Sequence, residues 1–219
     1  MLIRYLGHSS FKVRGSEGAV ITDPYDNKAV GLELPIMSAE VVTVSHDHDD
    51  HNAADRVQGT SDRKEPFVID KPGEYEASGV SVIGVQSFHD DKEGSERGDN
   101  IIYVFKLDDI WVCHLGDLGH TLSNSQIKQI GQIDVLMVPV GGKYTVGPKK
   151  ALKVIESLSP SLVIPMHYKQ KGMNEQFDEL VTVDEFLEKA ALNGVERLDK
   201  ISLSKTNLPD EMEVIVMEM

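Results

Sequence analysis

The side chains best suited to chemistry lie in one short segment, residues 41–52, which reads Val-Val-Thr-Val-Ser-His-Asp-His-Asp-Asp-His-Asn. Three histidines and a carboxylate there have the spacing H-x-H-x-D-H, and they are His46, His48, Asp50 and His51. A sharp turn can direct the first two histidines at one metal ion and the other two side chains at a second. Imidazole and carboxylate groups suit zinc, and also manganese or iron. The spacing therefore predicts a metal site rather than a solvated acidic loop.

A turn that carries metal ligands needs a strand to hold it, and a β-branched run stands immediately before this one. The run Glu40–Ser45 predicts a buried strand. Similar runs, punctuated by glycine, dominate the first two thirds of the chain. They are Leu2–Leu6, Phe11–Arg14, Ala19–Thr22, Phe67–Ile69, Val80–Gln86, Ile101–Leu107 and Ile110–Leu115. Asp108 and Asp109, between the last two runs, predict a tight hairpin turn.

The remainder of the chain alternates strand and helix patterns. Strands are predicted at Val135–Val140, Leu162–Pro165 and Glu213–Met217. Helices are predicted at Ser123–Ile130, Pro148–Leu158 and Val183–Leu192, the last of them capped by Asn193-Gly194. This alternation after a β-rich start predicts sheets with helices packed outside them.

The order of these motifs resembles the metallo-β-lactamase superfamily, in which H-x-H-x-D-H follows a buried strand. Further residues occur where that family places functional groups: Asp23, His89, Asp117 and His167. The opening Leu6-Gly-His-Ser-Ser-Phe11 resembles a branch of small hydrolases that includes ascorbate-phosphate lactonases. The resemblance covers about residues 2 to 170. It implies an α/β fold, a four-layer αββα sandwich of two mixed sheets, here as one domain over residues 1–219.

The resemblance also implies a ligand set for two divalent ions. The first ion would be held by His46, His48 and His89, and the second by Asp50, His51 and His167, with Asp117 between them. Zinc is the default metal, with manganese or iron as alternatives. Asp23 would support the motif loop. Attack by metal-bound hydroxide would then cleave a small ester, lactone or phosphodiester, with Asp50 also orienting the nucleophile.

Other roles stay open at this stage. The proton donor for the leaving group is one of His8, His120 and Tyr168, and the sequence does not choose among them. One of three loop lysines is a candidate for binding an anionic group of the substrate; they are Lys143, Lys169 and Lys171. His114 is expected to be a packing residue. The alternative to an enzyme is a metal-binding sensor or assembly module without turnover.

Composition limits the class of protein. The 219 residues carry a formal net charge of −14, which argues against extended nucleic-acid binding. A small-molecule substrate, with or without an anionic group, is expected instead. Cys113 is the only cysteine, and the sequence predicts neither a signal peptide nor a membrane span. We therefore expect a cytoplasmic protein without a membrane partner.

Overall fold

A computed structural model describes residues 1–60 and 64–219. Its strands, in chain order, are β1 Leu2–Gly7, β2 Ser10–Arg14, β3 Ala19–Thr22, β4 Met37–Ser38, β5 Val41–Thr43, β6 Val57–Gln58, β7 Phe67–Ile69, β8 Gly73–Ala77, β9 Val80–Phe88, β10 Asp99–Leu107, β11 Ile110–His114, β12 Val135–Pro139, β13 Leu162–Met166, β14 Glu196–Leu198, β15 Lys200–Ser202 and β16 Glu213–Met217. Its helices are α1 Asn27–Val30, α2 Asn124–Ile130, α3 Pro148–Leu158 and α4 Val183–Lys189, with 3-10 turns η1 Ala54–Arg56 and η2 Glu175–Phe177.

Most of the strands belong to two mixed sheets. The first has the order β15-β1-β2-β3-β5-β7 and the second β14-β16-β13-β12-β11-β10-β9-β8, while β4 and β6 pair separately. In the second sheet β8 to β11 form an antiparallel meander, and β11, β12, β13, β16 and β14 run parallel. Strands β12 and β13 are buried along their whole length, as expected for parallel strands covered on both faces.

The layers follow from which side chains are buried together. Both sheets contribute to one apolar core, for example through Phe11 and Val41 from the first sheet and Phe105 from the second. The helices α2 and α3 contact β9 and β12 of the second sheet. The outer face of the first sheet is covered by the segments of Val30 and Phe177. The predicted αββα sandwich is thus confirmed, and the shared core supports the proposal of one domain.

The end of α4 differs from the prediction. The sequence predicts a helix to Leu192, but the structure ends it at Lys189. Ala191 has a left-handed backbone with φ of 55°, and the Leu192 N–H donates to the Leu187 carbonyl at 2.9 Å. This closes a Schellman-type cap with alanine in the position that glycine usually takes. The prediction placed the stop at the glycine and was wrong by one turn.

The edges of the sheets hold strands that the sequence patterns do not predict. One of them, β8, reads Gly-Glu-Tyr-Glu-Ala and is mostly exposed. A charged edge strand discourages pairing with other chains, and it also lacks the apolar alternation that identifies a strand. Separately, none of the helices within residues 1–60 and 64–219 is long and apolar enough to cross a membrane.

Candidate metal centre

The loop that carries the H-x-H-x-D-H motif, from His46 to His51, follows β5 and closes as a tight turn. The backbone N–H groups of His51 and Asn52 both donate to the carbonyl of His48, at 2.8 and 3.0 Å. This turn places His46 and His51 with their ring centroids 4.3 Å apart. The loop therefore presents its histidines to one side, as the spacing alone predicted.

Asp23 anchors this loop from the end of β3. Its Oδ2 accepts a hydrogen bond from His51 Nδ1 at 2.9 Å and from Ser45 Oγ at 2.6 Å, and its Oδ1 accepts from the Ser45 N–H at 2.8 Å. With Nδ1 committed to Asp23, His51 keeps Nε2 free for a metal. Burial raises the pKa of Asp23, but the His51 hydrogen bond and nearby positive charge outweigh it and lower the pKa.

Asp117 follows β11 and is held through its backbone. Its N–H donates to Asn100 Oδ1 at 2.8 Å, and Asn100 Nδ2 donates to the carbonyl of Leu115 at 3.0 Å. Gly116 has φ of +54°, and a Cβ there would lie 2.4 Å from Asn100 Oδ1. Sequence reasoning missed Asn100, although one buried amide within the apolar run of β10 is an unusual feature.

The Asp117 carboxylate lies at the centre of the histidines. Its Oδ2 is 3.0 Å from His167 Nε2, 3.3 Å from His89 Nε2 and 4.0 Å from His46 Nε2. Its Oδ1 is 3.3 Å from His51 Nε2. Because these side chains follow different strands of both sheets, only the closed sandwich brings them to one point.

Among residues 1–60 and 64–219, three groups of side chains have ligand atoms within 4.8 Å of one another. They are His46, His48 and His89; His46, His51 and Asp117; and His8, Asp50, His51 and His167. The first matches the set expected for the first ion. The last contains the set expected for the second ion, with His8 in addition. Ligands this close need only small rotations to share an ion with bonds of about 2 Å.

The unpartnered atoms at the cluster test whether a cation fits. Within the described residues, several buried atoms have no hydrogen-bond partner, among them His46 Nε2, His51 Nε2, His167 Nε2 and Asp117 Oδ1. Buried polar atoms are ordinarily paired. Lone pairs left over on four converging side chains, all of ligand type, are what a bound metal would satisfy. The donor set therefore fits the metal that the motif predicts.

Comparison with known proteins agrees with this geometry. A sequence profile described as "Beta-lactamase superfamily domain" matches residues 2–167. The chain belongs to the metallo-β-lactamase superfamily. A solved structure from Thermotoga maritima, assigned by its description to this superfamily, has 40% identity and a TM-score of 0.80 over 99% of this chain and 98% of that one.

Two archaeal relatives are each called a UPF0173 metal-dependent hydrolase. The relative from Korarchaeum cryptofilum is 30% identical over 203 residues, which cover 81% of this chain and 89% of the relative. The relative from Thermococcus onnurineus is 29% identical over 188 residues, which cover 76% of this chain and 84% of the relative. The superfamily membership therefore extends to small proteins of similar length.

The pKa values of the clustered histidines and carboxylates depend on their burial and on the charges of one another. Burial, and then the positive charge of His51, lower the pKa of His46 to about 3. Burial alone would raise the pKa of Asp50 and of Asp117, but the adjacent histidines hold both below the ordinary value. Burial opposes protonation of His51 too, yet Asp117 and Asp50 raise its pKa. Ionised carboxylates and a neutral His46 are the protonation states that metal binding requires, whereas a metal ion on His51 Nε2 would have to displace the proton that Asp117 and Asp50 favour there.

His8 lies inside the cluster rather than at its mouth. It occupies the turn between β1 and β2 with φ of 55°, and it is fully buried. Its Nε2 is 3.1 Å from Asp50 Oδ2, and its ring centroid is 4.3 Å from that of His167. Its backbone is held by Gln170, whose Oε1 accepts from the His8 N–H at 2.9 Å. Burial, then the charge of His167, lower the pKa of His8 to about 4 against the opposing effect of Asp50.

The other two candidates for proton transfer lie away from the cluster. Phe88 N–H donates to His120 Nε2 at 3.2 Å, and His120 Nδ1 donates to the Thr121 carbonyl at 2.8 Å, so both ring nitrogens are engaged. The Tyr168 hydroxyl donates to the Met217 carbonyl at 3.2 Å, and burial raises its pKa to about 12. The structure does not bring either side chain to the predicted metal ligands.

Side chains outside the ligand set have structural partners. His114 is fully buried, with Nε2 2.7 Å from the Ser9 carbonyl, which agrees with a packing role. Lys143 pairs with Glu179 and Lys169 with Asp178. None of the three loop lysines, Lys171 included, is among the described residues that line the cavity above the predicted metal ligands.

That cavity has a volume of about 230 Å³. Five of its lining residues are metal ligands predicted from the sequence: His48, Asp50, His89, Asp117 and His167. The others, which sequence reasoning missed, are Arg97, Tyr144, Gln176 and Phe177. A site of about 230 Å³, below the usual range of about 300–1,000 Å³ for ligand pockets, suits a small molecule.

Proposed function

We propose that this chain is a metal-dependent hydrolase of a small ester, lactone or phosphodiester. The observation that carries the proposal is the convergence of His, Asp and unpartnered lone pairs on one open cavity. The names of the archaeal relatives support the reaction class. The acidic chain and the cavity volume favour a small-molecule substrate over a nucleic acid. A buried lone thiol, Cys113, suits the reducing cytoplasm.

The proposed ligand roles follow the predicted sets. The first ion would be held by His46, His48 and His89, the second by Asp50, His51 and His167, with Asp117 shared between them. Such ions, when bound, supply an activated water and positive charge for the developing oxyanion. Zinc is the proposed metal, and manganese or iron suit the same nitrogen and oxygen ligands.

The chain's own groups orient and hold the reactants. Asp23 fixes the His51 ring, and Asn100 fixes the backbone of Asp117. Asp50 and Asp117 both line the cavity, and Asp50 is the more exposed of the two side chains, so we assign to Asp50 both a ligand position and the orientation of a nucleophile against the substrate. His120 and Tyr168 remain predictions for proton transfer that this geometry does not favour.

The proposal is tested by metal content and turnover together. We expect the purified protein to hold up to two divalent ions per chain after dialysis, measured by elemental analysis. We expect it to hydrolyse at least one member of a panel of nitrophenyl esters, lactones and phosphodiesters, and to lose that activity on chelation. A metal-loaded protein inactive on the whole panel would favour the binding module instead. A metal content near zero that added zinc, manganese or iron cannot restore would contradict both.

Replacing His8 tests whether its contact with Asp50 orients that carboxylate for metal binding. We expect His8→Ala to weaken binding of the second ion about 10–100-fold, the usual cost of removing a partner that orients a metal ligand. Affinity is measured by competition with a chromophoric chelator. His120→Ala is the matched control and should keep both affinities, since His120 does not contact the ligands. Unchanged affinity in His8→Ala, with only a slower reaction, would return His8 to the role of proton donor.

A further inference from the structure

Arg97 is the only lysine or arginine among the described residues that line the cavity above the metal ligands. It lies on the loop between β9 and β10, shortly after His89. Its guanidinium carbon stands 5.0 Å from the centre of the Tyr144 ring, a distance at which a cation is attracted to the ring face. Arg97 is exposed, so a bound molecule in the cavity can reach it.

The loop that carries Arg97 is held by one carboxylate. Asp90 accepts four backbone hydrogen bonds of 2.8 to 2.9 Å, from Lys92, Gly94, Glu96 and Arg97. These four bonds lower the pKa of Asp90 to about 2, against the opposing effect of desolvation. Because its own N–H is one of the four donors, the backbone of Arg97 has a fixed position relative to the neighbouring ligand His89.

Tyr144 supplies a fixed platform for the guanidinium. Its hydroxyl donates to the carbonyl of Gln176 at 2.8 Å, which joins two walls of the cavity. A guanidinium held over a ring face still has N–H groups available, and these can bind a carboxylate or a phosphate with two hydrogen bonds.

The charge of Arg97 is not neutralised, unlike that of its neighbours. The surrounding lysines each have a carboxylate partner: Lys92 with Glu96, Lys143 with Glu179, Lys150 with Asp91 and Lys169 with Asp178. Among residues 1–60 and 64–219, no carboxylate oxygen lies within 4.0 Å of the Arg97 guanidinium. The chain has a net charge of −14, yet this arginine on the cavity wall has no carboxylate partner. Its positive charge is therefore available to an anion that enters the cavity.

We propose that Arg97, stacked on Tyr144, binds an oxyanion of the substrate, a carboxylate or a phosphate, at a position separate from the bond that is cleaved. The inference rests on the proposed function and names the class of substrate: a small molecule with a reactive ester, lactone or phosphodiester group and a remote anion. Arg97 is thus a specificity-determining residue, in place of the three lysines considered from the sequence.

The test compares ligands that have one or two anionic ends. The metal-loaded protein is titrated calorimetrically with dicarboxylates from malonate to adipate, and with the monocarboxylates of equal chain length. One carboxylate can occupy the metal site, so the second reports on Arg97. We expect the best dicarboxylate to bind about 10-fold or more tightly than its monocarboxylate, in line with a charged hydrogen bond. Phosphonocarboxylates of matching length show which oxyanion is preferred.

Two variants assign that preference to a residue. Arg97→Gln should bind the dicarboxylate and the monocarboxylate equally. Arg14→Gln removes the same charge at the end of β2, outside the cavity, and should keep the preference. A preference that survives in Arg97→Gln, or that is lost equally in Arg14→Gln, would overturn the inference, as would the lack of any preference in the wild type.

The same substitution has a separate effect on turnover. With mono-nitrophenyl esters of the preferred dicarboxylate, we expect Arg97→Gln to raise KM about 10-fold while kcat stays within a few-fold, and to leave the uncharged nitrophenyl alkanoate unchanged. If the wild type shows the binding preference but hydrolyses no substrate, the proposed function fails and the subsite stands. If it hydrolyses both esters equally well and binds both acids equally, the subsite fails and the hydrolase stands.

Discussion

Asp50→Ala is expected to lower hydrolysis by several orders of magnitude. Asp50 lines the cavity together with Asp117, and its Oδ2 lies 3.5 Å from His51 Nε2 and 3.1 Å from His8 Nε2. Its loss removes a ligand atom and the group that orients the nucleophile in one step. The measurement is kcat/KM on any cleaved substrate, with metal content determined on the same preparation.

The adjacent residue offers a matched control. Asp49→Ala removes a carboxylate from the same loop, but Asp49 is exposed and belongs to none of the ligand groups. We expect near-normal metal content and turnover in that variant. Full activity in Asp50→Ala would refute the proposed mechanism even if the metals were present, because no other cavity carboxylate outside Asp117 is available to replace it.

Asp117→Asn is expected to reduce the bound metal from two ions per chain to at most one. The carboxylate lies 3.0 to 3.3 Å from three different imidazoles, so both ion positions depend on its charge. The amide keeps the shape but offers a neutral and weaker ligand, and the affinity of a site for divalent ions depends on the number of charged ligands. Elemental analysis and a chelator competition give the stoichiometry and the affinity of each ion, and we expect turnover to fall with them.

A second partly buried aspartate tests whether the loss is specific. Asp134 accepts a hydrogen bond from the Trp111 N–H at 2.8 Å, at the end of β11 that is opposite to Asp117. Asp134→Asn should lower thermal stability without changing the metal content. Equal metal loss in both variants would show that Asp117 acts through folding and not as a ligand, and two tightly bound ions in Asp117→Asn would contradict its shared position.

Local patterns allowed much of the fold to be predicted. The hairpin at Asp108 and Asp109 is present, with both residues at positive φ and Leu107 paired with Ile110. Helix α2 begins as its serine start predicts, with a capping box between Ser123 and Gln126. These features depend on residues only a few positions apart, and their energetics are therefore contained in short windows of sequence.

Predictions were incomplete where the deciding partner is remote or the pattern is weak. Strand β8 lacks apolar alternation, so only its pairing with β9 identifies it. The early end of α4 depends on the backbone of Ala191, a residue type that rarely takes a left-handed conformation. The sequence offered His8 only as one of three candidate proton donors, and the turn between β1 and β2 folds inward and buries it against Asp50.

The sequence by itself determined which chemistry the protein can carry, since the four ligands of the motif share one turn after one strand and their types select a metal. The tertiary structure alone decided which other groups join them. Asn100 on β10 binds the backbone of Asp117, which follows β11. Arg97, on the loop between β9 and β10, contacts Tyr144, on the loop that follows β12. Such contacts form only when both sheets close on a common core, because residues far apart in the chain have no local energy that favours their meeting. The metal-ligand prediction could therefore be made from spacing, whereas the proposed oxyanion subsite could be inferred only from the folded cavity.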